Sequence, residues 1–443
     1  MIIIKSIYLR QRLYILLSSI VVLLILGFIW PLFYSLGKLS ILVVVGLVFV
    51  DSILLYSKRD GVLAERIMAN KLSNGDKNNI SIYIQNNYSF QTQIEILDEI
   101  PHQFQIRDFL IKLSLNANQQ GSRSYTVRPV KRGEYKFGGL HVFVVTVLGL
   151  VSRRYTFSSE KNVPVYPSFV QMRKYALLAI SNRLTMYGVK KIRKIGHNQE
   201  FDQIKLYTFG DDYRTVNWKA TARKGELMVN QYQDERSQQV YSVIDKGRVM
   251  KMPFEGMSLL DYAINASLVI SNIAISKDDK AGLMTFTNRV QATLPASKNH
   301  SQMQKIADML YNQKTNFEES DFESLYAHIK RAISQRSLIL LYTNFETVSS
   351  LQNQLPYLQK IATTHLLIVV FFENTELKSL IEKKPTNTEE IYLQTIAEKF
   401  AFEKRLIVKE LQKVGIQAIL TSPQHLTVNT INKYLELKAR GLI

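Results

Sequence analysis

Apolar residues along this chain follow three spacings in succession, and each spacing predicts a different kind of structure. Leu13 to Tyr34 and Leu39 to Tyr56 are nearly continuous apolar runs. About 18 to 22 helical residues at ~1.5 Å rise cross a ~30 Å hydrocarbon layer, so the runs predict a transmembrane helical hairpin over 13–56, turning around Ser35 to Lys38. A cleaved signal peptide is the rival for the first run, but no small-x-small cleavage site follows it and a second run comes almost at once. A buried hairpin of a soluble domain is the other rival, and Asp51 inside the second run speaks for it.

From Val62 to Pro167 the apolar positions alternate, as in Ile80-Ser81-Ile82-Tyr83-Ile84, Gln93 to Leu97, Ser124 to Val130 and Leu140 to Val147. Asn74-Gly75-Asp76, Asn86-Asn87, Gln120-Gly121-Ser122 and Lys131-Arg132-Gly133 punctuate them as turns. Period-two spacing with frequent turns predicts an antiparallel β-sandwich over 62–167. Residues 168–237 form a linker that opens with a helix over Gln171 to Tyr187.

Beyond it, continuous apolar strands alternate with helical stretches. Strands are expected at Val240 to Ile244, Gly282 to Phe286, Leu338 to Tyr342, Leu366 to Phe371 and Ile416 to Leu420. Helices are expected at Ser258 to Ile275, Ser301 to Tyr311, Asp321 to Ser334, Glu389 to Val414 and Val428 to Leu437. The alternation predicts a doubly wound, Rossmann-like α/β domain over 238–443, its parallel sheet covered on both faces. Ligands of such sheets sit beyond the carboxyl ends of the strands, where Asp245 lies.

Charge refines this picture. The formal net charge is +19, which favours anionic lipid, nucleic acid or an acidic protein as partner. Lys5, Arg10 and Arg12 precede the first run, Lys58, Arg59 and Arg66 follow the second, and the turn offers Lys38. The bias places the N-terminus, 1–12, and everything after Tyr56 on the cytoplasmic side. Arg183 to Lys194 carries five cations and no acid. It reads as a solvated linker, with anionic lipid beneath a membrane as the next reading. Nucleic acid comes last, because no recognition helix or stacking motif accompanies the charge.

The chain has no cysteine, so thiolate chemistry, disulfides and cysteine zinc sites are excluded. Phosphate-binding G-x-x-x-x-G-K-[ST], H-E-x-x-H and G-x-S-x-G patterns are absent, and the seven histidines are scattered without ligand spacing. The densest chemistry lies between Gly196 and Val249, where Glu200, Asp202, Asp211 and Asp212 share a short segment with Arg214, Lys219, Arg223, Lys224, Phe201 and Trp218. An ionic network that staples the scaffold, with Trp218 as a core anchor and Arg214 and Arg223 paired to Glu200 or Asp212, is the first expectation. A partner-binding surface is the second.

Glu200-Phe201, Gly210-Asp211-Asp212-Tyr213-Arg214, Asn217-Trp218-Lys219-Ala220-Thr221-Ala222-Arg223 and Leu227-Met228-Val229 resemble the signature of domain-of-unknown-function family 58. Arg132-Gly133-Glu134-Tyr135 and Leu148-Gly149-Leu150 resemble its R-G-x-Y and D-P-F-G-L elements, although Thr146-Val147-Leu148 replaces D-P-F and Asn217 replaces an aspartate. The resemblance implies that 238–443 is a von Willebrand factor A-like domain. It further implies a partnership with a MoxR-type AAA+ ATPase in assembling or maturing envelope proteins at the bacterial inner membrane.

In that fold a working metal loop reads D-x-S-x-S, and here Asp245-Lys246-Gly247-Arg248-Val249 stands instead. Gly247 and Val249 lack the hydroxyls, Asn344 stands where an acid is usual, and Thr315 is a weak candidate for the loop threonine. The loop therefore reads as a degenerate Mg²⁺ site in which Lys246 and Arg248 neutralise Asp245, and no cofactor is expected. A non-enzymatic membrane adaptor is the reading these observations support. A metal-dependent hydrolase or transferase using the Asp245 loop, and a nucleic-acid-binding surface, are the alternatives.

Overall fold

The computed structural model describes residues 6–180, 199–234, 237–299, 301–315, 317–383, 385 and 387–443. The chain divides into two compact units, Met1–Tyr166 and Pro167–Ile443.

The first unit opens with strand β1 (Ile7–Leu9), helix α1 (Gln11–Leu26) and helix α2 (Pro31–Tyr56). Here the structure corrects the expected hairpin. Its break falls at Gly27–Trp30, and Ser35 to Lys38 lie inside α2. Pro31 decides this, because a ring that presets φ and lacks an N–H fits the first turn of a helix. Gly27 allows the close return, since a side chain there would strike the Tyr34 backbone. The helix α1 has 16 residues and α2 has 26. Leu13, Ile20 and Val44 pack between them, while Phe28, Ile29, Leu42 and Phe49 stand exposed, an apolar surface of a kind soluble monomers seldom leave open.

Ten strands follow: β2 (Val62–Ile67), β3 (Leu72–Ser73), β4 (Asn78–Asn86), β5 (Thr92–Asp98), β6 (Ile111–Leu115), β7 (Gln120–Val127), β8 (Gly133–Phe137), β9 (Leu140–Val145), β10 (Val151–Phe157) and β11 (Lys161–Tyr166). They form three sheets, ordered β1-β10-β9-β5-β6, β2-β4-β7 and β3-β11-β8. All pairings are antiparallel except β3 with β11, and the arrangement is sandwich-like. Inward residues alternate as the period-two pattern requires, with Ile80, Ile82 and Ile84 of β4 and Ile94 and Ile96 of β5 buried.

Two features tie the hairpin into this sandwich. β1 pairs with β10 in the register Ile7↔Arg153 and Leu9↔Val151. At the other end, Asp51 of α2 is buried, and its carboxylate accepts bonds from the Thr146 hydroxyl and from the backbone N–H groups of Leu150 and Val151, both at 3.0 Å. The carboxylate that spoke for a soluble hairpin therefore serves as the joint between α2 and the turn before β10. Arg153 completes the joint by donating to the carbonyls of Leu55 (2.7 Å) and Lys58 (2.7 Å), where cationic donors suit the end of a helix.

The second unit begins with α3 (Phe169–Ile180), then β12 (Gln199–Leu206), α4 (Trp218–Lys224) and β13 (Met228–Asp234). Next come β14 (Gln239–Asp245), β15 (Pro253–Phe254), β16 (Met257–Ser258), α5 (Leu259–Ser276), β17 (Lys280–Phe286), β18 (Val290–Ser297), α6 (Gln302–Tyr311) and α7 (Phe322–Ala332). β19 (Leu338–Tyr342), α8 (Val348–Thr364), β20 (Leu366–Phe372), α9 (Thr375–Glu382), α10 (Thr388–Lys413), β21 (Gln417–Thr421) and α11 (Leu426–Ala439) complete it. The helix expected over Gln171 to Tyr187 is described to Ile180, and the basic stretch Arg183 to Lys194 lies outside the described residues.

Six strands form the main sheet in the order β18-β17-β14-β19-β20-β21. β14 pairs in parallel with β17 and with β19, so the sheet grows from it in both directions, and β18 runs antiparallel at one edge. Alternate strand residues feed two cores. Val240, Ile244, Leu340 and Tyr342 pack with α5, α6 and α11, while Tyr241, Val243, Ile339 and Leu341 pack with α7, α8 and α10. The apolar 18-residue α5 is long enough to cross a membrane, but it is buried as the central core helix.

Candidate functional site

β14 ends at the point where the strand order reverses, and four loops converge there. Asp245 is buried; its Oδ1 accepts from the Gly247 N–H (2.8 Å) and the Ser320 hydroxyl, and its Oδ2 accepts from the Thr343 hydroxyl (2.7 Å). Burial pushes its pKa above the ordinary carboxylate range, and the three hydrogen bonds oppose that rise. The loop is also pinned through its backbone: Arg248 N donates to Glu318 O (3.0 Å) and Lys246 N to Phe286 O (2.9 Å).

The expected neutralisation of Asp245 by its neighbours is not what the side chains do. Lys246 donates to Gln291 and to Gln313 (2.8 Å), and Arg248 reaches outward to within 3.8 Å of Glu319. Val249 packs against the apolar core, so its position contributes nothing to the site. Gly247 is glycine because a side chain there would collide with Ser320 Oγ. The hydroxyls at Asp245 come from Thr343 and Ser320, and Thr315 is not their source.

Asn344 meets Lys404 of α10, which donates to Asn344 Oδ1 (2.7 Å) and to the Phe345 carbonyl. Burial lowers the Lys404 pKa to about 8, with Glu346 acting the other way. Among the described residues no three His, Asp or Glu side chains converge to hold a metal ion. The donor set fits Mg²⁺ poorly, because both Asp245 oxygens are already engaged and an ammonium occupies the Asn344 oxygen.

The signature segment forms a separate feature. β12 and β13 pair antiparallel, with an irregularity between Phe201 and Gln203, and residues 207–227 join them at one end. Glu200 and Phe201 lie on β12, and their side chains are outside the described residues. Gly210, at φ 110°, turns the chain so that Asp211 accepts from Thr208 N (2.9 Å) and Oγ1 (2.8 Å) and pairs with Lys205 (2.9 Å). Lys205 first, then Thr208, hold the Asp211 carboxyl at about 2.

Asp212 accepts from the Arg214 N–H (3.0 Å), and Asn217 caps α4 through the Ala220 N–H (3.0 Å) while donating to Asn230 (2.8 Å). The amide at 217 thus performs the cap that an aspartate would, and adds a side-chain bond to β13. The expected ionic network is absent among the described residues: Lys205–Asp211 is the ion pair of this segment, while Arg214, Lys219 and Arg223 form none. Trp218 is not a core anchor either. It is 73% exposed, Tyr213 and Phe209 are exposed beside it in sequence, and Met228 and Val229 are the buried residues of the described segment. The loop between the two strands carries the exposed rings of Phe209, Tyr213 and Trp218 and the exposed side chains of Arg214, Lys219 and Arg223.

Ser320, Lys404 and the exposure of Trp218 were not legible in the chain. Glu318-Glu319-Ser320-Asp321 announces only a helix start, which Asp321 indeed caps through the Glu323 N–H.

Residues 203–385 match the family model described as Protein of unknown function DUF58. Over 123 residues the chain is 28% identical to the Uncharacterized protein YeaD of Bacillus subtilis (strain 168), a stretch covering 28% of this chain and 30% of that relative. Among solved structures, the conserved hypothetical protein BatB from Bacteroides thetaiotaomicron aligns at a TM-score of 0.30 and 12% identity, covering 46% of this chain and 100% of that one. The CARDB domain of PF1109 from Pyrococcus furiosus aligns at 0.17 and 13% identity, covering 24% of this chain and 94% of that one.

Proposed function

We propose, on the match of residues 203–385 to the DUF58 family model, that the chain is a non-enzymatic, membrane-anchored adaptor. It acts with a MoxR-type AAA+ ATPase in assembling or maturing envelope proteins. The hairpin α1–α2 anchors it in the bacterial inner membrane, with the soluble units on the cytoplasmic side. β1 before α1 and the last turns of α2 join the same sandwich, which supports an even number of crossings. The strand order and the antiparallel edge strand support reading the second unit as von Willebrand factor A-like.

The observation that carries the adaptor reading is the exposed Phe209, Tyr213 and Trp218 with Arg214, Lys219 and Arg223 at the loop end of the signature hairpin. Aromatic rings and arginines dominate the binding energy of protein interfaces, and a family signature held at the surface serves contact better than packing. At the sheet switch point, Asp245 is satisfied by the chain's own donors, which supports a structural role for that loop.

A photo-crosslinking residue at Tyr213 of the full-length chain, expressed in its native host, tests this reading. An AAA+ ATPase of the MoxR type is expected in the crosslinked product, and its loss on Trp218→Ala is expected too. Crosslinking that recovers other proteins while the ATPase stays unlinked would refute the partnership.

A further inference from the structure

We propose that the turn Thr146–Gly149, with Leu9 and Arg12 beside it, is an interfacial seat that presses the sandwich onto an anionic phospholipid surface. The proposal rests on reading the hairpin as the membrane anchor. No spacer separates the two: α1 starts two residues after β1, and Arg10 N donates to Leu150 O at 3.0 Å. The 16 residues of α1 extend about 24 Å, less than a ~30 Å hydrocarbon layer, so the layer has to reach the root of the hairpin.

The lipid-facing character of α2 continues to that level. Phe49, Val50, Ile53 and Leu54 are exposed on both sides of Asp51 in sequence. Asp51 itself is fully buried and supplied with a hydroxyl and two N–H donors from residues 146, 150 and 151, as a carboxylate near hydrocarbon requires. In the same turn Val147 is 69% exposed and Leu148 is exposed beside it, while Tyr8 and Leu9 are exposed on β1. A soluble turn gains nothing from presenting two aliphatic side chains to water, whereas an interfacial one buries them among acyl chains.

The cation is positioned to match. Arg12 reaches the carbonyls of Val147 (3.5 Å) and Leu148 (3.4 Å) through Nη1, and its other guanidinium nitrogens have no partner among the described residues. A guanidinium presents a fork that suits a phosphate, and the net charge of +19 draws the whole chain toward anionic headgroups. Continuity with the apolar hairpin favours lipid over a protein as the occupant of this turn.

The absence of cysteine makes the test direct, since single-cysteine variants of the full-length chain carry one label each. Val147→Cys, Val22→Cys in α1 and Ser158→Cys at the far end of β10 are labelled with an environment-sensitive fluorophore in liposomes of phosphatidylglycerol or phosphatidylcholine, with lipids brominated near the headgroup. Expected is quenching at position 147 several-fold above that at 158, stronger in phosphatidylglycerol, with Arg12→Gln abolishing the lipid preference. Quenching at 22 with none above background at 147 overturns the seat and spares the anchor; no quenching at 22 overturns the anchor reading itself. Equal quenching at 147 in both lipids overturns the anionic headgroup as ligand. Shielding of 147 in native membranes but not in liposomes assigns the turn to a protein instead and likewise overturns the proposal.

Discussion

Ser320 carries its hydroxyl into the space that a side chain on Gly247 would need, and from there it donates to the Asp245 carboxylate. A hydroxyl missing from one loop is thus present in the site from another, 73 positions further along the chain than the glycine it faces if counted from 247 to 320. Putting a serine back at 247 therefore creates a collision. Gly247→Ser is expected to destabilise by about 1–3 kcal/mol, as overpacking does, and Ser320→Gly in the same chain to recover most of the loss. Denaturant midpoints of the detergent-solubilised full chain measure both; a Gly247→Ser variant as stable as wild type defeats the steric account.

Asp245 predicts a pH dependence. Burial raises its folded-state pKa above its unfolded value of about 3.9, so protonation favours the folded state. That contribution is fully present below the unfolded pKa and is lost as pH rises through the folded one. Asp245→Asn keeps an acceptor for Gly247 and Ser320, and the Thr343 hydroxyl turns to accept instead of donate. The variant is expected to fold and to remove this part of the pH slope in denaturant midpoints taken from pH 4 to 8. An unchanged slope would show that Asp245 does not titrate in that window.

Exposure of Trp218 separates stapling from recognition. Trp218→Ala is expected to shift stability by no more than about 0.5 kcal/mol, as surface substitutions do. At a central interface position the same change costs about 2 kcal/mol or more of binding, some thirtyfold in affinity. Melting curves paired with recovery of the AAA+ partner decide between them. A large loss of stability with binding intact contradicts the exposed surface.

The joint at Asp51 should hold the hairpin to the sandwich. Asp51→Ala leaves the Leu150 and Val151 N–H groups unpaired, at about 1–3 kcal/mol for each buried donor. Limited proteolysis between α2 and β2 is expected to quicken in the variant, and unchanged cleavage argues against the joint.

Topology is testable with the same cysteine-free chain. Phe28 is at the hairpin tip and Ser422 follows β21. In intact cells an impermeant thiol reagent is expected to label Phe28→Cys and to spare Ser422→Cys; the reverse result inverts the orientation.

Period-two alternation marked the strands of the first unit, and apolar strands separated by helices marked the main sheet, because both patterns follow from local backbone geometry that one stretch of chain carries by itself. The end of β14 at Asp245 was legible for the same reason. Glu200 to Lys224 was legible as a dense segment, but the sequence left a scaffold staple and a partner-binding surface both open, with the staple first. Alternating charges and aromatics read alike whether a second layer covers them or not, and only the two-stranded hairpin, with Met228 and Val229 buried, shows that it leaves Trp218 open.

Tertiary structure alone decided which groups meet. Ser320 and Thr343 reach Asp245 because the α6–α7 loop and the β19–α8 loop both meet the carboxyl end of β14, and Lys404 reaches Asn344 from a helix far along the chain. Asp51, an apparent flaw in an apolar run, is matched to Thr146, Leu150 and Val151 by the fold of the sandwich. Hydropathy records what one residue prefers. A buried carboxylate or ammonium depends on donors and acceptors contributed from elsewhere, and their arrival is a property of the folded chain.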